Sequence, residues 1–194
     1  MEKTITLLRD SGAMLDGHFL LSSGRHSDRY FQCARLLQYP DRAAAALAGV
    51  VSRIQADKLP IDVVVGPAMG GIIVAYELGR QLGIPGFFTE RDAGGAMSLR
   101  RGFTVQAGDR ILIAEDVITT TKSSLEAAAV LEAYGAQVVG LACLVDRRGE
   151  GVSLPWPLYA ACKIPAASWD EASCALCSQG LPLVKPGSNP LRRT

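Results

Sequence analysis

Residues 111–123 read ILIAEDVITTTKS, and the fold turns on how this stretch is read. The run 111–114 is continuously apolar, with the length and bulk of a buried strand. It delivers two adjacent carboxylates, Glu115 and Asp116, to the strand's carboxyl end. Thr119, Thr120, Thr121 and Ser123 follow, and the spacing predicts a helix over 123–134, closed by Gly135. A loop that feeds a helix N-terminus offers free backbone N–H groups and hydroxyls, which suit a phosphate. The two carboxylates would repel phosphate. They suit the vicinal hydroxyls of a ribose, which donate hydrogen bonds to carboxylate. The competing reading is a solvated acid pair at a sheet edge that caps the next helix. Strand, acid pair, hydroxyl loop and helix in one run favour a site for ribose 5-phosphate.

Working outward, strands alternate with helices. The run 61–65 is apolar and ends in Gly66-Pro67; 70–83 has helical spacing and stops at a glycine. Short strands are expected at 87–89 and 138–145, and an Ala-rich helix at 41–56. Such alternation implies βαβ units and a doubly wound α/β fold around a parallel sheet. Ligands then bind at the carboxyl ends of the strands. Those ends carry Gly66–Gly71, Glu90-Arg91, Glu115-Asp116 and Asp146-Arg147. Arg147 has two readings: a surface arginine paired with Asp146, or a cation that meets an anionic ligand. At the N-terminus 2–15 reads as an amphipathic helix, and 17–31 as loop or short strands that carry function. After Gly149 a late short strand and an irregular tail are expected.

Composition bounds the rest. The chain has 194 residues, 48% of them hydrophobic and 20% charged, which is ordinary for a globular domain. Twenty Lys+Arg against 19 Asp+Glu leave a net charge of +1, which argues against nucleic-acid binding through bulk electrostatics. The longest uncharged run, 63–76, is broken by Pro67 and glycines and is too short to span a bilayer. No signal peptide is evident, and five irregularly spaced cysteines fit a reducing, cytoplasmic setting. Cys174 and Cys177 have the spacing of half a zinc knuckle, with Cys162 as a candidate third ligand. Both histidines lie near the N-terminus, so no fourth ligand is evident and reduced thiols are preferred.

The segment 115–123 resembles the 5-phosphoribosyl-1-pyrophosphate (PRPP) motif of type I phosphoribosyltransferases. Nearly the whole chain resembles the orotate phosphoribosyltransferases. The supporting segments are GHFLLSSGRHSDRYFQCA (17–34), VVVGPAMGGIIVAYELG (63–79), TERDAGGAMSLRRGF (89–103) and VDRRGEG (145–151). The tail 174–188 is similar to the short bacterial and archaeal branch of that family. The resemblance implies one domain, a core of about 41–150 under a small hood from about 1–40 and the C-terminal segment. It also implies a reaction: orotate and PRPP give orotidine 5′-monophosphate and pyrophosphate, a step of pyrimidine biosynthesis.

Roles follow by motif. Glu115, Asp116, Val117, Ile118, Thr119, Thr120, Thr121, Lys122 and Ser123 would hold PRPP, with Met69 and Gly70 in the pyrophosphate loop. Thr119, Arg147, Tyr30, Phe31 and Ser22 would meet orotate. Arg91, Arg100 and Arg101, together with Asp116, would be catalytic. Mg²⁺ would arrive with PRPP, without a direct protein ligand. The loop 90–103, with glycines as hinges, would complete the site of a partner in a homodimer. Three positions depart from the family pattern: 91–103 holds no lysine, Thr121-Lys122 stands where glycine is common, and Ser22 replaces a substrate-binding lysine. The resemblance leaves rivals: a purine or uracil phosphoribosyltransferase, or a PRPP-sensing regulator without catalysis. The regulator is disfavoured by the +1 charge and the lack of an appended DNA-binding helical domain. A dinucleotide-binding enzyme is disfavoured because no G-x-G-x-x-G lies between strand and helix.

Overall fold

The structure, a computed structural model, describes residues 1–21, 23–149 and 151–186. Helix α1 (Glu2–Asp10) opens the chain, and strands β1 (Met14–Leu20) and β2 (His26–Phe31) follow as an antiparallel pair. Helices α2 (Ala34–Leu37) and α3 (Pro40–Ala56) lead into β3 (Val63–Pro67), α4 (Gly70–Leu82), β4 (Gly86–Arg91) and β5 (Met97–Ser98). Then come β6 (Arg110–Ile118), α5 (Lys122–Ala133), β7 (Gln137–Asp146) and β8 (Leu158–Lys163). The chain continues through β9 (Ser168–Trp169), a 3-10 turn (Glu171–Ser173) and α6 (Ala175–Ser178).

Six strands form the large sheet in the order β5-β4-β3-β6-β7-β8. All pair in parallel except β5, which returns antiparallel to β4. Strand pleating divides the apolar residues of β6 between two cores. Leu112 and Ala114 meet α3 and α4 on one face; Ile111 and Ile113 meet the α5 side on the other. The sheet is therefore covered on both faces, as a doubly wound α/β fold requires. On α3, Ala43, Ala46, Leu47, Val50, Val51 and Ile54 are buried at helical spacing, and Pro40 sits in the first turn. Gly83 closes α4 at φ +72°, a conformation favouring glycine.

Several boundaries differ from the sequence expectation. The helix expected over 2–15 stops at Asp10, because Gly12 turns the chain at φ +64° and Met14 enters a strand. The stretch 17–31 forms most of the β1–β2 pair, to which β9 adds a third strand as a small separate sheet. β6 runs on to Ile118, so Glu115 and Asp116 lie inside its last residues and not after its end. The large sheet also continues past residue 150 to include β8.

Candidate active site

A cleft of about 820 Å³ opens between the two sheets. One wall is the carboxyl end of the large sheet: Asp116, Val117, Thr119, Thr120 and Arg147. The other comes from the small sheet and its connections, among them Leu20, Tyr30, Phe31 and Ser168. Lys185 and Pro186 of the C-terminal segment complete the rim.

The acid pair stands where β6 meets the cleft. Asp116 lines it, and its Oδ1 accepts a hydrogen bond from the Val117 N–H at 2.8 Å. Glu115 turns to the other side of the strand, where Ser124 donates to its Oε1 at 3.2 Å. Burial pushes the Glu115 carboxyl up to about 8, with the neighbouring Asp116 charge adding to the shift. Burial also raises Asp116, against the opposing effect of its backbone hydrogen bond. The ligand-free pair is thus short of full charge at neutral pH. Gly70 is pressed against this pair: a Cβ there would come within 2.3 Å of Asp116 Oδ1. Gly66 and Gly71 fit equally tightly, since a Cβ on Gly66 would meet the Gly71 carbonyl oxygen at 2.2 Å. The turn after β3 can therefore lie flush against β6 only with glycine at these positions. Met69 projects into solvent, 82% exposed, and neither it nor Gly70 walls the cleft.

Beside the acid pair is a small concavity of about 50 Å³. It is walled by Glu115, Val117 and Ile118 of β6 and by 119–124 at the start of α5. Four of the latter, Thr119, Thr120, Thr121 and Ser123, bear hydroxyls, and the helix points its first N–H groups here. Lys122 is exposed and reaches Glu126 at 3.9 Å. Thr121 takes a left-handed conformation, φ +63°, as the residue before the helix. Hydroxyls beside a helix N-terminus are the kind of donors that an anion takes.

Arg147 resolves its two readings. Asp146 is taken by Arg148, whose Nε and Nη2 donate to the two carboxylate oxygens at 2.9 and 3.1 Å. Arg147 turns instead into the cleft wall. Its guanidinium lies 4.9 Å from the centre of the Phe31 ring, and Nη2 reaches Ser27 Oγ at 3.4 Å. Its buried Nε has no hydrogen-bond partner among the described residues. Desolvation lowers the Arg147 pKa, with the Asp28 charge working in the opposite direction. A buried donor left unmade is costly, and a planar carboxylate entering the cleft would satisfy it in a two-pronged geometry. Tyr30 walls the same cleft, its hydroxyl donating to Gln32 Oε1 at 2.8 Å.

The three arginines of 90–103 lie elsewhere. Arg91 pairs with Glu126 of α5 and donates to the Gly95 carbonyl at 2.7 Å. Arg101 meets Glu90 at 2.9 Å, and Arg100 the same carboxylate at 3.9 Å. None of them walls the cleft of its own chain. β4 and β5 make a hairpin whose turn is held by Asp92 Oδ1, which accepts from the Gly94 and Ala96 N–H groups. Arg101, three residues past β5, is 62% exposed.

A family model described as the phosphoribosyl transferase domain matches residues 36–155. The chain is 45% identical over 187 residues to an orotate phosphoribosyltransferase of Desulforamulus reducens, covering 96% of each. The chain belongs to the orotate phosphoribosyltransferase family. The crystal structure of orotate phosphoribosyltransferase from Aeropyrum pernix superposes with a TM-score of 0.68 at 29% identity, over 84% of this chain and 94% of that one. The orotate phosphoribosyltransferase of Mycobacterium tuberculosis, solved with inorganic phosphate, gives 0.62 at 24% identity over 84% and 96%, a likeness of fold.

Of the residues given binding roles by motif, Tyr30, Phe31, Asp116, Thr119, Thr120 and Arg147 come together at one cleft. Ser22 lies outside the described residues. Arg25 and Lys185 were not assigned to the site, yet both wall the cleft. Arg25 stands in the polar stretch already singled out, which was the available signal; it also meets Asp170 at 2.6 Å. Lys185 had no local signal, because only the folded tail brings it there. The metal reading needs correction. Cys162 is buried in β8 and donates to the Leu144 carbonyl at 3.3 Å, away from the other two thiols. The partners of Cys174 and Cys177 are instead the two histidines that chain distance had seemed to exclude. His18, His26, Cys174 and Cys177 present ligand atoms within 4.8 Å of one another.

Proposed function

We propose that this chain transfers the 5-phosphoribosyl group of PRPP to N1 of orotate, releasing pyrophosphate. The observation that carries the reading is Arg147, an under-satisfied guanidinium stacked on Phe31 in a cleft that adjoins a phosphate cradle. The cradle at 119–124 takes the 5-phosphate. Asp116, with Glu115 behind it, receives the ribose hydroxyls. The orotate carboxylate pairs with Arg147, and Tyr30 and Phe31 flank the ring. Ser22 is proposed as a further orotate contact, and Met69 and Gly70 as part of the pyrophosphate loop. These contacts hold N1 facing C1′, so that little orientational freedom is left to lose in the transition state. The C1′–oxygen bond to pyrophosphate breaks as the C1′–N1 bond forms, the N1 proton leaves to water or to the departing pyrophosphate, and positive charge gathers on the ribose in the transition state. An Asp116 carboxylate bound to the ribose hydroxyls would stabilise that charge.

Magnesium belongs to this reading as a companion of PRPP. A hard cation of this kind takes oxygen ligands, which the phosphates and hydroxyls of PRPP and water can supply, so it needs no side chain of this chain as a direct ligand. When bound, the cation neutralises charge on the departing pyrophosphate. Arg91, Arg100 and Arg101 are proposed to add further cations from the arm of a partner subunit in a homodimer. A cytoplasmic setting accords with five unpaired cysteines, and no helix among the described residues is long and apolar enough to cross a membrane.

The test is to incubate the protein with PRPP, Mg²⁺ and orotate and to follow the loss of orotate absorbance, with adenine, hypoxanthine and uracil alongside. Turnover with orotate alone is expected; turnover only with another base would overturn the assignment. Arg147→Ala should then raise the KM for orotate by about tenfold or more, the worth of a charged hydrogen bond of roughly 1.5–3 kcal/mol, while the KM for PRPP barely moves. Equal losses for both substrates would assign Arg147 a structural role.

A further inference from the structure

The second cluster lies apart from this chemistry. His18 is on β1 and His26 opens β2, almost opposite each other in the antiparallel pair. Cys174 and Cys177 come from the short α6 region, more than 140 residues along the chain. His18, His26 and Cys174 are buried, and Cys177 lies at the rim. His18 Nε2 stands 3.0 Å from His26 Nδ1, 3.5 Å from Cys174 Sγ and 3.7 Å from Cys177 Sγ. Cys177 Sγ stands 3.3 Å from His26 Nδ1.

These separations are close to the edges of a zinc tetrahedron. With zinc–sulfur bonds of about 2.3 Å and zinc–nitrogen bonds of about 2.05 Å, sulfur and nitrogen stand about 3.6 Å apart, and two nitrogens about 3.3 Å. The tautomer of His18 also fits. Its Nδ1 lies 2.8 Å from the Leu181 carbonyl oxygen, which can only accept. Nδ1 therefore carries a hydrogen, which leaves Nε2 as the ring nitrogen placed to face the cluster as a ligand. A backbone carbonyl in this position is the usual outer partner of a ligating imidazole.

Apolar packing does little to hold this segment. Neither the 3-10 turn nor α6 buries a residue, and Leu181, Leu183 and Val184 are all exposed. A four-residue helix with no buried face does not hold itself in place. Outside the cluster the segment is held at its two ends, by the β2–β9 pairing and the Arg25–Asp170 ion pair before it and by backbone hydrogen bonds of Val184 with Leu20 and His18 beyond it.

We propose that His18, His26, Cys174 and Cys177 bind one zinc ion in a closed tetrahedral site that fastens the C-terminal segment to the small sheet. Two thiolates and two imidazoles are the ligand set that selects this ion. With all four positions filled by protein, the ion is structural. Its reach extends to substrate binding. The turn between the two histidines supplies Ser23 and Arg25 to the cleft, and the chain leaving the cysteines supplies Lys185.

The full chain, produced without a histidine tag in zinc-containing medium, should carry about one zinc per chain by elemental analysis, as a filled structural site requires. Replacing zinc with Co²⁺ should give the visible absorption of tetrahedral cobalt together with thiolate charge-transfer bands. Cys177→Ser, at the exposed position, should lose most of the metal and the charge-transfer intensity. A chelator should lower the melting temperature of the wild type, and added Zn²⁺ should restore it. Three results would each overturn the proposal. One is folded, zinc-exposed wild type that carries no zinc and gives no tetrahedral cobalt spectrum. Another is undiminished zinc in a Cys174→Ser/Cys177→Ser double variant, which would put the ion elsewhere. The third is a Cys174–Cys177 disulfide in protein purified without reductant.

Discussion

Glu115 and Asp116 are adjacent on one strand and so point to opposite sides of it, and each meets a different chemical demand. Asp116 walls the cleft, while Glu115 lies beneath it against Ser124. A buried carboxyl that titrates at about 8 when folded, against about 4.3 in the unfolded chain, makes a definite claim about pH. Between those values the folded state holds a proton that the unfolded state has released. Stability therefore falls as pH rises through this window. The urea midpoint of the ligand-free protein should decline from pH 5 to pH 9, and Glu115→Gln, which keeps the shape and cannot ionise, should flatten the decline. An unchanged slope would mean that Glu115 is solvated. Asp116 contributes with the same sign, so the difference between wild type and variant is the quantity to read. The acid pair was legible because adjacency and a strand end are local features. The division of labour between Arg147 and Arg148 was not. Both follow the same strand, and only the folded register decides that Arg148 takes Asp146 and leaves Arg147 for the cleft.

At the scale of the element, the entry to α5 concentrates the binding chemistry and a local strain. Thr121 stands at φ +63° where a β-branched residue is disfavoured, and its side chain is buried. The left-handed region disfavours a non-glycine residue by about 1–2 kcal/mol. Comparing Thr121→Gly with Thr121→Ala reads that effect, since both remove the hydroxyl and the methyl, and alanine keeps the Cβ that makes a left-handed backbone costly. The glycine variant should melt about 2–4 °C above the alanine variant, as about 1 kcal/mol implies for a chain of this size. Equal melting temperatures would mean that the loop relaxes to another conformation in solution. The anomaly was visible in the sequence, where Thr121-Lys122 departs from a glycine-bearing pattern. The alternation of β3, α4, β6, α5 and β7 was equally visible, because each element carries its own periodicity and punctuation. The β1–β2 pair and the short β9 were not. The stretch 17–31 showed only as loop or short strands, β9 finds its partner β2 far along the chain, and the boundary between α1 and β1 depends on Gly12 adopting a positive φ that no apolar spacing announces.

At the scale of the whole molecule, one chain leaves its cleft without the arginines that the family resemblance assigns to catalysis. Arg91, Arg100 and Arg101 ride on the β4–β5 arm and its continuation, with side chains 44% to 62% exposed, paired with Glu126 and Glu90 of their own chain. Ion pairs this exposed are worth little, about 0–1 kcal/mol, and an incoming pyrophosphate can displace them. Gly95 and Gly102, both at positive φ, give the arm points about which it can turn. If the arm serves a partner's cleft, Arg91 and Asp116 of one chain act in different active sites. Arg91→Ala and Asp116→Asn should then each be nearly inactive alone, Asp116→Asn losing at least about tenfold in turnover with its charged hydrogen bond to the ribose. Mixing the two lets mixed dimers form. One site of each mixed dimer joins an intact core to an intact arm from across the interface, and the other site carries both defects. Random exchange makes about half the dimers mixed, each with one good site of two, so roughly a quarter of wild-type activity should return. Exchange is checked independently, by mass spectrometry of the mixed dimers. If subunits exchange and no activity returns, the arm serves the chain that bears it or Arg91 takes no part in catalysis; a protein that stays monomeric at assay concentration while fully active would exclude the shared site outright.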